Sequence, residues 1–367
     1  MRPLFVISLV LFLWVSPVLA QQDETDDRSL WKWFTRWRAR ELTSDMDSGY
    51  VAIPVRPWLV SLNYDGVANM QGFNLPEINI PNYSGGKGSA IFFNGMSSKL
   101  SVGAYYRGWG LSYGHSLSNP HSAQFSFTSY GQTLGFDFNL QRSYNMRCVI
   151  KVNGVDGLPI LEEMLDAGSQ NGVYTMLDIN AYYVFNSRRF SYGAALGQSS
   201  MQMRDAGSFF VGLTYYQTNM DFSGSRLANY MMANQCEVTS RYLAAGLGYG
   251  YNHVSANKQF LLHGSAMPMI LVPVYNAVHM TPLAGNLSGD STAQDYYLRR
   301  RDDLENYTYQ PPLSLLGVIR MAIYWNITPQ WVWGVTSLTT FSPSFDRSRF
   351  NAFSVNETLF SYIGFRF

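Results

Sequence analysis

The fold turns on the last thirteen residues, Val355-Asn-Glu-Thr-Leu-Phe-Ser-Tyr-Ile-Gly-Phe-Arg-Phe367. Leu359, Ile363, Phe365 and Phe367 form an apolar row at a spacing of two, broken only by Ser361. Between them stand Thr358, Phe360, Tyr362, Gly364 and Arg366. A period of two with one apolar side describes a strand that meets a different solvent on each face. A chain that finishes on a bare aromatic residue suits the closing strand of a membrane β-barrel, whose aromatic end is also what assembly machinery recognises. Ten residues at about 3.3 Å each, tilted near 45°, rise roughly 23 Å, close to the height of an apolar membrane band. Glu357 continues the lipid-side row and would emerge near the outer surface, while Arg366 would point into the mouth of the lumen. The competing reading is a buried terminal strand of a soluble sandwich, and the rest of the chain separates the two.

Composition favours the barrel. Of 367 residues only 14% are charged, against about a quarter in ordinary soluble proteins, and 16% are aromatic. With 31 Gly and a mean hydropathy of −0.10, the chain is not built from apolar helices. Strands that are apolar on one side only give this combination. A net charge of +1 offers no electrostatic reason to invoke nucleic acid.

Met1 to Ala20 reads as a signal peptide: Arg2 is the basic start, Leu4 to Val15 the apolar run and Val18-Leu19-Ala20 the cleavage site before Gln21. Residues 21–49 form an N-terminal periplasmic segment. Within it Ser29 to Glu41 suits a short basic amphipathic helix, with Leu30 and Trp37 on one face and Lys32, Arg36 and Arg40 at spacing four. Such a helix can lie at the membrane edge, which we favour, enter the barrel as a plug, or stand in solvent. Cys148 and Cys236 fall in segments that read as loops, and a single bridge between them is a question for geometry.

From Tyr50 to Phe367 the two-residue period recurs. Trp58, Val60, Leu62 and Tyr64 alternate with Leu59, Ser61, Asn63 and Asp65; Leu100 to Tyr106 turns at Arg107-Gly108 into Trp109, Leu111 and Tyr113. Leu134 to Leu140, Leu177 to Tyr183, Phe190 to Leu196 and Phe209 to Tyr215 follow. Leu243, Ala245, Leu247, Tyr249 and Tyr251 then oppose Ala244, Gly246, Gly248 and Gly250, the cleanest row in the chain. Phe260 to Val274, with Pro268 and Pro273, reads as an irregular strand; Ile319 to Trp325 and the stretch from Trp331 precede the last strand. In each case the second row is small or polar but poor in Lys and Glu, which suits a tight lumen better than bulk water. Trp58, Trp109, Trp325 and Trp331 stand near strand ends, as interfacial girdles do.

The expected fold is thus an all-β, antiparallel, up-and-down transmembrane β-barrel of about twelve strands, within ten to fourteen. One segment resists: the alternation from Gln124 to Arg142 changes phase near Tyr130-Gly131, so it is either one bulged strand or a hairpin. Taken as one strand it keeps the count even, but it leaves Ser143 to Gly172 as a long inner-side connection.

Asp47-Ser-Gly-Tyr50-Val, then Phe185-Asn186 leading through Arg188-Arg189 into Phe190-Ser191-Tyr192, then Asp205-Ala-Gly-Ser208-Phe resemble motifs of a Bacteroidetes family of outer-membrane β-barrels, domain of unknown function 4421. The resemblance implies an outer-membrane barrel over most of the mature chain and brings no activity with it.

Chemistry is sparse. Gly114-His115-Ser116-Leu117-Ser118-Asn119 is similar to the His-x-Ser-Asn arrangement of outer-membrane lipid hydrolases, but His115 and Ser118 are three residues apart and face opposite sides of a regular strand. A solvated loop-edge histidine is the better reading. Asp137, Asp178 and Arg320 fall in the polar rows and would line the lumen, either tuning a channel or pairing across a closed one. Gly246, Gly248 and Gly250 would mark a close approach of another backbone or a plug. The histidines show no metal-ligand spacing, and nothing points to a cofactor. The expected role is passage, binding or envelope structure without catalysis, with outer-membrane lipid and the barrel assembly machinery as partners and any small-molecule ligand unspecified. A barrel enzyme acting on lipid or lipopolysaccharide is the alternative, and a secreted soluble β-protein that binds a small ligand a weaker one.

Overall fold

The computed structural model describes residues 46–80, 83–117, 121–144, 146–153, 161–166, 172–223, 233–282, 306–308, 314–342 and 352–367. The signal peptide, the helix from Ser29 to Glu41 and Ser118 lie outside them. In chain order the elements are β1 (Val51–Ala52), β2 (Trp58–Ile80), β3 (Tyr83–Tyr106), β4 (Trp109–Ser116), β5 (Ala123–Tyr130), β6 (Leu134–Tyr144), β7 (Met146–Asn153), β8 (Leu161–Asp166) and β9 (Val173–Val184). Then come α1 (Tyr192–Leu196), β10 (Met201–Gln202), β11 (Ala206–Asp221), β12 (Ala233–Val254), β13 (Phe260–Pro282), β14 (Asn306–Thr308), β15 (Ser314–Asn326), β16 (Trp331–Ser342) and β17 (Ala352–Arg366).

Twelve of these strands, β2 to β6, β9, β11 to β13 and β15 to β17, pair antiparallel in a closed ring. Closure is made by the last strand on the first: β17 lies along β2 from Arg366↔Leu59 to Ala352↔Phe73. A closed ring leaves no edge, so the wall strands pair their amides with one another rather than with water. The apolar rows face outward. Leu359, Ile363, Phe365 and Phe367 are exposed on the outside of β17, whereas Arg366 is buried within. Leu213, Leu247, Val102 and Ile323 are likewise exposed, while the alternate row holds Asp65, Asn180, Thr214 and Arg320 in the interior. A soluble sandwich would turn these rows the other way. Among the described residues no helix is long and apolar enough to cross a membrane; the strands do the crossing.

The short turns gather at the end that also holds Trp58 and Phe367. There the rings of Trp58 and Phe367 stack at 6.3 Å, Phe260 and Trp325 at 5.5 Å, and Trp331 meets Phe365 edge-on at 5.0 Å. These pairs form an aromatic band where a membrane interface would lie. At the Arg107-Gly108 hairpin both residues take positive φ, 45° and 87°, the conformation that matches the twist of the flanking strands.

The expected count of twelve is met by a different set of strands. Gln124 to Arg142 is a hairpin, β5 and β6, and the change of phase is its turn, where the Gly131 amide donates to the Leu134 carbonyl at 2.9 Å. Phe190 to Leu196, expected as a strand, is not in the wall at all. The first finding adds one strand and the second removes one. With β6 running away from the short-turn end, the connection after Tyr144 lies at the opposite end, where β7 pairs with the extension of β3 and β8 with β7. Tyr83 to Gly88, Gly-rich and without an apolar row, is the start of β3 and pairs with the end of β2. Phe260 to Val274 is a strand that continues to Pro282, with a register shift opposite Arg241 and Tyr242. Cys148 lies in β7 opposite Phe92 and Cys236 in β12 opposite Met280, so both are strand rather than loop residues and no ladder pairs them.

Leu213 stands on the outer face of β11 between Ala181 and Ala245 of the neighbouring strands, well away from either end. Leu213→Arg should lower stability by about 2–4 kcal/mol, measured by reversible denaturant unfolding in lipid vesicles.

Candidate functional site: a plugged lumen

At the end of β9 the chain does not return directly to the next strand. Phe185 and Asn186 still bond to β11, through the carbonyl of Phe209 at 3.1 Å and Ser208 Oγ at 2.9 Å. A turn follows, and Phe190, Ser191 and α1 pass into the barrel with almost no exposure. Ser191 Oγ accepts from the Ala194 amide at 3.0 Å and so caps the helix. The chain leaves again through Gln198, at φ 52°, and β10. Residues 190–202 therefore fill the short-turn end of the lumen. The apolar–small alternation that suggested a strand serves here to pack rings against the wall: Tyr192 meets Tyr182 at 4.5 Å and Phe210 at 5.4 Å.

Polar bonds fix the plug to the wall. Asn252 Nδ2 donates to the Ser191 carbonyl at 2.9 Å, which turns its Oδ1 toward His263 Nδ1 at 2.7 Å. An amide oxygen only accepts, so His263 carries its proton on Nδ1 and in the neutral ring accepts at Nε2 from Ser265 Oγ, 3.0 Å away. Ser265 in turn accepts from the Tyr192 hydroxyl at 3.2 Å. Gln202 Oε1 takes bonds from the Ser191 amide and Asn252 Nδ2 at 2.9 and 3.0 Å. From the closing strand, Arg366 reaches Gln198 Oε1 and Asn326 Oδ1.

The segment before β2 latches the plug from below. β1 pairs with β10, Val51 opposite Gln202 and Ala52 opposite Met201, and the Met203 amide donates to the Tyr50 carbonyl at 2.7 Å. The Tyr50 ring lies under Arg189 and Arg204, at 5.0 and 5.7 Å. Nearby, Asp205 Oδ1 accepts from the Val254 amide at 2.8 Å, and its Oδ2 accepts from His253 Nδ1 at 2.7 Å and the Tyr251 hydroxyl at 3.2 Å. These bonds, the backbone amide first and then His253, hold the Asp205 carboxyl below its ordinary range.

Beyond the plug lies a cavity of about 140 Å³ with both polar and apolar side chains on its wall, and Asp137, Asp178 and Arg320 all line it. Arg320 Nη2 pairs with Asp137 Oδ2 at 2.8 Å, both buried, and Asp178 Oδ2 accepts from Asn180 at 2.9 Å. A second polar cluster on β2 and β3, not singled out from sequence, joins the same cavity: Asp65 Oδ2 accepts from Ser101 Oγ at 2.7 Å. Its signal was Asn63 and Asp65 standing in the second row of the first strand. The plug's own polar residues had no such signal, because their partners lie up to 168 positions away.

The glycine row of β12 divides in function. A Cβ at Gly246 would lie 2.1 Å from the Pro268 carbonyl oxygen of β13, and one at Gly250 would lie 3.2 Å from the plug's Phe190 ring. His115 is on the outer face, where its Nε2 is 2.7 Å from the Tyr113 hydroxyl. Among the described residues no three His, Cys, Asp or Glu side chains converge as a metal site would require.

A closed barrel with an apolar exterior, an aromatic band and a protein-filled lumen is a transmembrane β-barrel of the outer-membrane type. Residues 82–367 match the family described as Domain of unknown function (DUF4421), and the chain belongs to that family. No curated protein matches it in sequence. Among solved structures it is similar to the outer membrane protease OmpT from Escherichia coli, with a TM-score of 0.42 at 7% identity over 85% of this chain and 97% of that one. It is also similar to the COG4313 outer membrane channel from Pseudomonas putida F1, with a TM-score of 0.33 at 11% identity over 87% and 98%. Another such structure is the outer membrane protein OprG from Pseudomonas aeruginosa, with a TM-score of 0.28 at 9% identity over 86% and 98%. At these identities the likeness is one of barrel fold, and no activity crosses with it.

Removing one member of a buried pair strands the other's charge. Asp137→Ala should cost about 3–5 kcal/mol in denaturant unfolding, and the double change Asp137→Leu with Arg320→Met should recover most of it. The depressed Asp205 carboxyl contributes stability that is complete above the ordinary carboxylate range and lost as pH falls through its lower folded value. The protection factor of the Val254 amide, its exchange rate corrected for the intrinsic pH dependence, should therefore hold from neutral to mildly acidic pH and fall only below that range; in Asp205→Asn it should be lower throughout.

Proposed function

We propose that the protein is a non-catalytic outer-membrane barrel that takes a small polar solute into its lumen from the outer side and is shut toward the periplasm by residues 190–202. The observation that carries this reading is the plug itself: a latched segment closes one end beneath a cavity whose wall sets hydroxyls, amides and carboxylates among apolar side chains. In a lumen built only to hold the barrel rigid the polar groups would pair with one another, since buried polar groups cost free energy unless bonded. On this wall Asn63 Oδ1 and Asp65 Oδ1 have no hydrogen-bond partner. Both hydrogen bonds and apolar packing hold the plug, the latter setting Phe190 and Tyr192 against Tyr182 and Phe210, and Ala194 and Ala195 against Leu261 and Tyr324. Moving it would break both. Passage would then follow displacement of the plug, and binding would not need it. Export through the leader Met1 to Ala20, contact with outer-membrane lipid along the apolar exterior, and recognition of Leu359, Ile363, Phe365 and Phe367 by the assembly machinery belong to the same proposal.

Planar-bilayer recording tests it. The intact protein should show no steady current, whereas replacing residues 190–201 with a short glycine linker should give a lasting ohmic conductance at least tenfold higher. Equal, steady conductance from both proteins would show that residues 190–202 do not close the pore.

A further inference from the structure

The cavity walls are unbalanced in charge and in hydrogen bonding. Asp65, Asp137 and Asp178 line it, against Arg320 and the buried Lys99 beside it. Arg320 is taken by Asp137. Lys99 faces Asp65 across the β2–β3 ladder, yet its Nζ donates to Gln124 Oε1 at 3.3 Å. Even if Lys99 neutralises Asp65 across the ladder, Asp178 has no ion-pair partner on the cavity wall among the described residues. The remaining buried cation among them, Arg366, is bonded to Gln198 and Asn326 at the plug.

The unpartnered atoms on this wall point the same way. Ser101 gives its hydroxyl proton to Asp65 Oδ2, so Ser101 Oγ can only accept from Asn63, whose Nδ2 lies 3.0 Å away. That fixes the Asn63 amide with Oδ1 turned away from the pair. Asp65 Oδ1 and Asn63 Oδ1 are both buried without a partner, on side chains only 2% and 7% exposed that line the cavity. Both are acceptors. A buried acceptor left unmade is costly, and so is a buried carboxylate with no cation beside it.

We infer that the cavity is a site for a small monovalent cation, an alkali ion or a primary ammonium, bound by Asp65 Oδ1 and Asn63 Oδ1 and balanced by Asp178. This rests on the reading of the lumen as a solute vestibule. A volume of about 140 Å³ admits such an ion with a few waters and excludes an oligosaccharide. Two carboxylates far apart around the wall, with no third acidic or imidazole ligand converging among the described residues, do not make a chelating divalent site.

The test uses the full barrel, folded in detergent with Cys148 and Cys236 changed to Ser. Thermal unfolding is followed in potassium chloride, methylammonium chloride and N-methylglucamine chloride at equal ionic strength. Potassium or methylammonium should raise Tm by several degrees with a saturable dependence, the bulky N-methylglucamine should not, and whichever acts identifies the source. In Asp65→Asn the half-saturating concentration should rise at least tenfold. If that variant gives no folded, heat-modifiable band, Asp178→Asn carries the same comparison. No saturable effect, or an unchanged one in the variant that folds, overturns the inference. Labelling of Ser126→Cys, a cavity-lining position, by a small neutral thiosulfonate reports access separately. A labelled cysteine with no cation effect overturns the cation site alone, whereas an unlabelled one overturns the vestibule reading along with it.

Discussion

A strand that crosses lipid has no water to satisfy its amides, so the whole structure depends on the meeting of β17 and β2. Their ladder, from Arg366↔Leu59 to Ala352↔Phe73, joins residues nearly three hundred positions apart and turns an open sheet into a ring. Each wall strand then has two neighbours, and the apolar row of each can face hydrocarbon without leaving a polar edge there. The aromatic cluster of Trp58, Phe365 and Phe367 sits at the foot of that seam.

Closing the ring creates the second problem, a lumen that must be filled. This protein fills one end with its own chain. The plug's rings pack on Tyr182 and Phe210, and its backbone and side chains bond to Asn252, Ser265 and Arg366, which all project inward because their outward neighbours are committed to the exterior. The same alternation that makes the outside greasy thus supplies the inside with the polar groups that hold the plug and line the cavity beyond it. Fold and candidate site are two consequences of one period.

Where the period is regular, the sequence is easy to read. Leu243 to Tyr251 and Leu359 to Phe367 lie in the wall with their apolar rows outward. It misleads at Phe190 to Leu196, which has the same alternation, because inside a barrel both faces of a segment meet protein and the pattern no longer distinguishes lipid from lumen. At Tyr130-Gly131 the break in phase was visible, but a bulge and a tight turn produce the same break; only the pairing of β5 with β6 chooses between them. Two differences that offset each other left the strand count correct.

Sequence alone determined which face of most strands meets lipid, since that depends only on side chains two residues apart on one strand. It also put Asp137, Asp178 and Arg320 in the polar rows. Only the tertiary structure decided that Arg320 pairs with Asp137 while Asp178 bonds to Asn180, that Asp65 joins the same cavity, and that residues 190–202 turn inward. Those outcomes depend on which strands stand across the lumen from one another, and that is set by ring closure and register, neither of which is written in any single stretch of the chain.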